Sequence, residues 1–181
     1  MTQPPMSDQE LLEFSGEHLM HELTMLWEAG KKLPGRTPSF ETSTLVDTFG
    51  LHLRNMIDFL YRQGKGDDVT ADDFLDPGVV WNRSEPTDLT NAHRRANKEL
   101  NHLTQQRKSG MPAEKEWQAE ALLRHIDAAA KDFAKHASTS KLHPKVFKFL
   151  EEPDSNKVNW IGDNVPRSNV AAQTVHSVTT K

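Results

Sequence analysis

Apolar residues recur at the period of an α-helix in four long stretches, and this pattern restricts the chain to a helical fold. In the clearest stretch, one face of a helix with about 3.6 residues per turn carries Leu45, Phe49, Leu53, Met56, Ile57 and Leu60. The pattern predicts four long helices, near residues 7–30, 39–63, 87–109 and 112–137. We therefore predict an all-α fold, an up-down bundle of four main helices.

Local signals indicate where these helices begin and end. The segment Ser7-Asp-Gln-Glu10 has the form of a capping box, in which a serine and a glutamate satisfy early backbone donors. Gly30 is of a residue type that often ends a helix, and Pro112 is of a type favoured in the first turn.

Two regions outside the four helices also have interpretable patterns. Residues 67–86 contain too many apolar side chains for a disordered segment, so we predict an ordered loop with a short helical turn, folded back on the bundle. Apolar residues within 142–150 predict a short fifth helix, whereas the chain from Glu151 is polar and unpatterned. We predict a bundle domain at 1–150 and a mobile C-terminal tail at 151–181.

Composition excludes several classes of protein. The 181 residues include no cysteine, so the chain has neither disulfides nor thiolate metal ligands, which fits a reducing cytoplasm. The formal net charge of -4 argues against a surface coated for indiscriminate nucleic-acid binding. No apolar run approaches the roughly 20 residues that cross a bilayer, and the N-terminus lacks the pattern of a signal peptide. We expect a cytoplasmic protein with no membrane contact.

The third predicted helix carries the best candidate for a chemical site. Arg95 and His102 are seven residues apart, so on a regular helix they lie two turns apart on nearly one face, roughly 10 Å along the axis. Arginine binds phosphate through a planar fork, and histidine transfers protons near neutral pH. Asn91 and Lys98 share this flank, about 120° from the apolar face. A solvated helix face with an Arg95–Glu99 ion pair fits the same residues.

The second predicted helix has a polar group of its own, which includes His52 and Arg54. Asn55 and Asp58 are one turn apart and could orient groups on the third helix, so we treat them as candidate substrate-binding residues. Interhelical hydrogen bonding, or a plain solvated surface, accounts for the same group.

The Arg–His pair resembles that of a known family. An arginine followed by a histidine after four to six residues, on a late helix of an all-helical bundle, resembles the HEPN superfamily, and here the gap is six. The segments Thr44–Leu60 and Ala96–Thr104 also look like those of a group of uncharacterised bacterial helical proteins. The resemblance covers roughly residues 7–137.

The resemblance implies a metal-independent endoribonuclease, or a protein that binds RNA or a nucleotide, in a bacterial defence or toxin system. In that family the pair forms the catalytic centre, usually across a homodimer, which gives Arg95 and His102 catalytic roles. His102 would move the proton of a ribose 2′-hydroxyl, and Arg95 would stabilise charge on the transition state. The alternative is a non-catalytic helical interaction protein, which is favoured by Ala96, because active members usually carry a polar residue there.

The metal-binding patterns of the chain are incomplete. Glu99-Leu-Asn-His102 is a Glu-x-x-His unit of the type found in di-iron bundles, but such sites need two units and two more glutamates. His18 and His21 are three residues apart and lack an identifiable third ligand. We therefore predict no metal and no other cofactor.

Overall fold

The structure is a computed structural model that describes residues 5–100, Gln105 and residues 116–157. Its helices are α1 (Asp8–Phe14), α2 (Met20–Lys32), α3 (Phe40–Tyr61), α4 (Thr87–Arg95), α5 (Ala119–His136), α6 (Pro144–Glu151) and α7 (Asp154–Lys157). The predicted all-α fold is confirmed; within the described ranges the only β pairing is an isolated bridge between Leu75 and Ala137. None of the described helices is long and apolar enough to cross a membrane.

The core lies between α2, α3 and α5, and α4 packs on both α3 and α5. The largest fully buried side chains include Trp27, Phe49, Leu53, Ile57 and Phe133. These residues belong to the apolar faces that the helical period predicts. The packing is therefore that of a helical bundle.

The first predicted helix is a continuous rod in which α1 and α2 flank a π-helical turn, Ser15–Leu19. This turn is held from outside, because Ser15 Oγ accepts from the His143 amide at 2.9 Å and donates to the Lys141 carbonyl at 3.3 Å. A Cβ at Gly16 would lie only 2.8 Å from the His143 ring. The turn is thus docked closely against the segment that precedes α6.

One end of this rod is predicted correctly and the other is not. The predicted capping box is present: the Ser7 hydroxyl accepts from the Glu10 amide, and the Glu10 carboxylate accepts from the Ser7 amide. The predicted stop at Gly30 is wrong, since α2 continues beyond it. A Cβ at Gly30 would lie 2.9 Å from carbons of Phe49 and Leu123. The glycine therefore permits close packing against α3 and α5.

The third predicted helix is not regular. α4 is followed directly by a second π-helical turn, Ala96–Leu100, and the rest of the predicted helix is largely outside the described residues. The π turn packs closely on α3, because a Cβ at Gly50 would overlap Leu100 Cδ1. Such turns are wider than an α-helix and close hydrogen bonds from i to i+5.

The predicted start of the fourth helix is wrong where it can be compared with the structure. Residues 116–118 are not helical, and α5 begins at Ala119; the predicted first residue, Pro112, lies outside the described residues. Trp117, which the apolar pattern assigns to this helix, precedes it. Its ring packs edge-to-face on Phe49 with centroids 5.7 Å apart, so the apolar pattern here reflects tertiary packing.

The loop predicted at residues 67–86 is ordered and folded back on the bundle. It contains a short 3-10 helix, Ala71–Phe74, as the sequence predicts. The Phe74 ring is fully buried against Phe133 of α5, with ring centroids 6.0 Å apart.

A hydrogen bond anchors the second half of this loop. Trp81 Nε1 donates to Asp132 Oδ2 on α5 at 2.9 Å. This bond holds the pKa of Asp132 below its ordinary value. The loop is therefore attached to α5 at two aromatic residues.

Packing continues beyond the predicted fifth helix, which is confirmed as α6. α7 ends at Lys157, whose side chain is fully buried, with Nζ 2.5 Å from Asp127 Oδ1 and 4.8 Å from the centroid of the Trp27 ring. Packing therefore extends past residue 150, where the sequence predicts a tail to begin. Residues 158–181 of that predicted tail lie outside the described residues.

Candidate functional site

Helix α4 carries polar side chains on two flanks, and each flank borders a cleft. Residues two apart on a helix point about 200° apart around the axis, so His93 and Arg95 face different neighbours. The larger cleft, the His93 cleft, has a volume of about 910 Å³ and is lined by residues that include Glu22, Arg54, Asn55, Asp58, Tyr61 and His93. The smaller one, the Trp117 cleft, has about 610 Å³ and is lined by residues that include Asn91, Arg95, Glu99, Trp117, Gln118 and Leu122.

Asp58 of α3 joins a histidine and an arginine at the wall of the His93 cleft. Its Oδ1 lies 2.8 Å from His93 Nε2, and its Oδ2 lies 3.5 Å from Arg54 Nε. The other ring nitrogen of His93, Nδ1, lies 3.3 Å from Nδ2 of Asn97. Because an amide nitrogen only donates, Nδ1 accepts and Nε2 carries the proton that is donated to Asp58. The carboxylate thus orients the imidazole with an acceptor nitrogen, as a general base requires.

A second carboxylate–imidazole pair joins α2 to α3. Glu22 Oε2 lies 2.7 Å from Nδ1 of His52 and accepts from Nδ2 of Asn55 at 3.1 Å. The His52 side chain is only 8% exposed, whereas Glu22 and Asn55 line the His93 cleft. Interhelical hydrogen bonding, one of the two explanations of this polar group, is present. Asn55 orients a group on α2, while Asp58 orients one on α4.

The first π turn borders the His93 cleft, and the second contacts His93 at its wall. His18 of the first turn lines it, and Asn97 of the second bonds to His93. Single π turns inside helices are rare and frequently lie at functional sites. Tyr61 lines the same cleft, and burial together with the Glu85 carboxylate raises the pKa of its phenol. Tyr61 therefore remains a hydrogen-bond donor at neutral pH.

In the Trp117 cleft, the Arg95 guanidinium is held by its own surroundings. Its Nε donates to Glu99 Oε2 at 2.9 Å, its Nη1 donates to the Glu116 carbonyl at 3.2 Å, and its Cζ lies 4.2 Å from the centroid of the Trp117 ring. The Arg95–Glu99 pair that also fits the sequence is therefore present. These contacts use donors that a bidentate fork on phosphate would need.

The prediction that Arg95 and His102 share a helix face assumes a regular helix, and that premise is wrong. The π turn Ala96–Leu100 lies between them. A π turn takes up one extra residue, and one residue corresponds to about 100° around the axis. His102 itself lies outside the described residues, so its catalytic role stays a prediction.

The structure divides the predicted site residues between the two clefts. Asn91 lines the Trp117 cleft together with Arg95, whereas Asn55 and Asp58 line the His93 cleft. Lys98 is exposed on the second π turn.

The predicted site lacks several residues of these clefts, among them Glu22, Arg54, His93 and Trp117. One signal for them exists in the sequence, because His52 and Asp58 adjoin the apolar face of α3 and polar groups near a core need partners. That signal predicts partners on neighbouring helices without identifying them. The identity of the partners depends on how the helices cross.

The histidines considered as metal ligands have other contacts. The His18 ring packs on Phe14 with centroids 5.0 Å apart, and the His21 ring lies edge-on to His52 at 5.4 Å. Among the described residues, no three histidine, aspartate or glutamate side chains converge as a metal would require.

The sequence matches no family model and no curated protein, and the fold matches no solved structure. The likeness to the HEPN superfamily therefore stays a prediction. What the protein does is inferred from the two clefts of α4.

Proposed function

We propose that the protein is a metal-independent endoribonuclease, the activity that the HEPN resemblance implies, and that it binds and cleaves RNA in the His93 cleft rather than at the Arg95–His102 pair. The observation that carries this proposal is the Asp58 carboxylate, which contacts both the His93 imidazole and the Arg54 guanidinium. An acid–base group and a planar cation thus stand together at one wall of a cleft. A role in bacterial defence or in a toxin system is proposed from the sequence resemblance alone.

The reaction would use the ribose 2′-hydroxyl as its nucleophile. The hydroxyl replaces the Asn97 amide at Nδ1 of His93, which takes its proton, and the 2′-oxygen attacks the adjacent phosphorus. The bond to the 5′-oxygen breaks, which leaves a 2′,3′-cyclic phosphate and a 5′-oxygen that takes a proton from water. The His93 imidazolium then returns its proton to the hydroxide that forms. Asp58 stabilises the imidazolium, and Arg54 stabilises the charge that builds on the phosphate.

We extend the proposal to a homodimer with two-fold pairing near α4, the assembly that the resemblance implies. A two-fold axis beside this helix would bring two His93 clefts to one face of the assembly. Light scattering at tens of micromolar protein should give the mass of a dimer. A monomer at that concentration would contradict the assembly without affecting the chemistry proposed for one cleft.

The direct test is cleavage of labelled RNA by purified protein, with and without EDTA. His93→Ala should slow cleavage by about 100-fold or more, as loss of a general base does. Arg54→Lys should also fail, because a point charge does not replace the planar fork on phosphate. EDTA should have no effect, and an all-deoxy strand should be inert for lack of the 2′-hydroxyl.

Matched variants separate this site from the pair predicted by sequence. His125→Ala is the control, since His125 also faces a carboxylate, with Nε2 3.5 Å from Asp88 Oδ2, but lies outside the His93 cleft. If only His102→Ala and Arg95→Lys abolish cleavage, the Arg95–His102 pair predicted from the sequence is catalytic, and the assignment to His93 is wrong. Cleavage that requires a divalent metal would contradict both.

A second candidate is a non-catalytic interaction protein, and one feature of α3 favours it. Phe40 and Leu51 are 88% and 42% exposed, and their spacing of eleven residues, about 1100°, places them on nearly one face. Exposed apolar residues that share a face are typical of protein–protein contacts. If two copies pair through this face, Phe40→Ser should lower the mass measured by light scattering. An unchanged mass would exclude self-pairing there.

A further inference from the structure

The mechanism proposed for the His93 cleft takes the proton for the leaving 5′-oxygen from water. We propose that His18 is the general acid that supplies this proton, so that cleavage uses two histidines. His18 belongs to the first π turn and lines the same cleft as His93. This inference rests on the proposed function, because it assigns a further catalytic residue to the same reaction.

The position of His18 follows from the way α2 packs on α3. Glu22 of α2 accepts a hydrogen bond from Asn55 of α3. Two turns later on α2, Gly30 packs against Phe49, which comes earlier on α3, so the two helices are antiparallel. His18, one turn before Glu22, is therefore level with the turn of α3 that follows Asn55.

That turn of α3 lies between the two histidines. It contains Asp58, whose carboxylate contacts His93 of α4. Because the first helical rod and α4 both pack on α3, His18 and His93 reach the cleft from helices on either side of it. The attacking and leaving oxygens of a phosphate lie roughly in line through the phosphorus, so a base and an acid must stand on opposite sides of it. A phosphate bound by Arg54 of α3 would have one imidazole on each side.

The imidazole of His18 is available to a substrate. His18 is exposed, and its ring packs on the Phe14 ring with centroids 5.0 Å apart. Within the part of the chain that the structure describes, neither ring nitrogen of His18 has a hydrogen-bond partner. The contact with Phe14 therefore orients the ring and leaves both nitrogens for a substrate.

The other charged side chains that line the cleft are poor proton donors at neutral pH. The cations are of residue types that hold their protons too tightly, namely Arg54, Arg62 and Lys65. The carboxylates already act as acceptors, Glu22 for Asn55, Asp58 for His93 and Asp68 for the Lys65 amide. An acid for the leaving oxygen must therefore come from the rings of the cleft.

Tyr61 is the strongest competitor for this role. Burial, together with the Glu85 carboxylate, raises the pKa of its phenol, whereas an efficient general acid has a pKa near the working pH. Histidine is the residue type that meets this requirement. Because His93 is the base, His18 is left as the acid.

The step balances with the second histidine in place of water. Nδ1 of His93 takes the proton of the 2′-hydroxyl as the 2′-oxygen attacks phosphorus. The His18 imidazolium gives its proton to the 5′-oxygen as the bond from phosphorus to that oxygen breaks. His93 then loses its proton to water and His18 takes one from water, which restores both rings.

The test replaces the bridging 5′-oxygen of one linkage by sulfur in an otherwise normal RNA strand. A thiolate leaves without being protonated, because a thiol is a far stronger acid than an alcohol. His18→Ala should slow cleavage of the oxygen linkage by about 100-fold or more, and cleavage of the sulfur linkage by less than about tenfold. His93→Ala should be slow on both linkages, since the 2′-hydroxyl must still lose its proton.

Two further variants separate proton donation from packing. His18→Phe keeps a ring against Phe14 but has no proton to give, so it should behave as His18→Ala does. Glu17→Gln, at the exposed neighbouring position on the same π turn, should cleave both linkages at the wild-type rate. Single-turnover cleavage of the two labelled strands by the full chain measures all of these rates.

The outcomes distinguish this inference from the proposed function. If His18→Ala slows both linkages equally, or slows neither, the acid role is overturned and the nuclease stands. A loss that sulfur rescues in Tyr61→Phe but not in His18→Ala would assign the acid to Tyr61 and also overturn it. If the wild type cleaves neither linkage, the proposed function fails and the acid role fails with it.

Discussion

The two flanks of α4 differ in where their charged groups find partners. On one flank, Arg95 bonds to Glu99 one turn along the chain and to the backbone of Glu116 just before α5. On the other flank, His93 bonds to Asp58 of α3, which is joined in turn to α2 by a second polar pair. One flank is therefore held by Glu99 on the next turn and by the segment that precedes α5, and the other by a network that crosses three helices.

This difference bears on what each flank can do chemically. A guanidinium whose donors are used by nearby acceptors is fixed in orientation and has fewer donors for a phosphate. An imidazole that is oriented by a distant carboxylate through one nitrogen presents the other nitrogen for proton transfer. The same helix thus presents a rigid plane on one side and an acid–base group on the other.

Loss of the Asp58 charge should have the largest effect on the His93 flank. Asp58→Asn keeps the size of the side chain and removes the charge that His93 and Arg54 share, so RNA cleavage should slow by about 100-fold or more. Asp47→Asn, at an exposed position on the same helix, should leave the rate unchanged. Single-turnover cleavage of labelled RNA measures both. Equal rates in the two variants would show that the α3 network does not support catalysis.

A substitution at Gly50 would disturb the contact between α3 and the second π turn. Gly50→Val places branched carbons where Leu100 of the second π turn packs, so the free energy of unfolding should fall by about 1–3 kcal/mol. Leu51→Val, at the exposed neighbouring position, should change it by about 0.5 kcal/mol or less. Urea unfolding gives both values. If Gly50→Val is neutral, the close approach of the second π turn to α3 is not required for stability.

Double-mutant cycles should rank the two charged pairs. For His93 with Asp58, whose side chains are 19% and 38% exposed, we expect a coupling of about 1 kcal/mol, the value of an average hydrogen bond. For Arg95 with Glu99, a local pair on the helix, we expect about 0.3–0.5 kcal/mol. The cycles are measured by urea unfolding at pH 7. A larger coupling energy for Arg95 with Glu99 than for His93 with Asp58 would contradict this ranking.

The smallest effect comes from a carboxylate that does not contact α4. The hydrogen bond from Trp81 lowers the pKa of Asp132 in the folded chain. Its contribution to stability is therefore present above the unfolded pKa and is lost as the pH falls through the folded pKa. The Asp132 side chain is 47% exposed, so the contribution should be small. Trp81→Phe should raise the Asp132 pKa toward its ordinary value in an NMR titration.

Glu10 is the internal control for that titration. Its pKa is lowered by the Ser7 cap at the far end of the bundle, so it should stay low in Trp81→Phe. A rise at both carboxylates would indicate a general loss of structure, whereas no rise at Asp132 would contradict the role of the indole donor.

Much of the fold can be predicted from sequence because its signals are local. The apolar period places the cores of α2, α3 and α5, and the Ser7 capping box marks the first helix. Gly30 is misread because the feature that requires it, the ring of Phe49, comes from another helix. Trp117 is misread for the same reason, since its apolar character serves a contact with Phe49 outside the helix.

The candidate site is less predictable than the fold. Angular arguments on α4 assume 100° per residue, and the π turn Ala96–Leu100 breaks that phase without any marked residue type. The ion pair of Arg95 with Glu99 can be predicted because it depends on spacing along one helix. The pair of His93 with Asp58 cannot, because it depends on the crossing of α3 and α4.

The first π turn, Ser15–Leu19, is equivalent to a one-residue insertion in an otherwise regular helix. Deletion of the Gly16 codon would permit a continuous α-helix but would rotate α1 by about 100° relative to α2. Leu11 would then turn away from the core, and Ser15 would lose its bonds to the segment before α6. In an alignment of related chains, a one-residue gap here would therefore mark those whose C-terminal helices are docked in a different way.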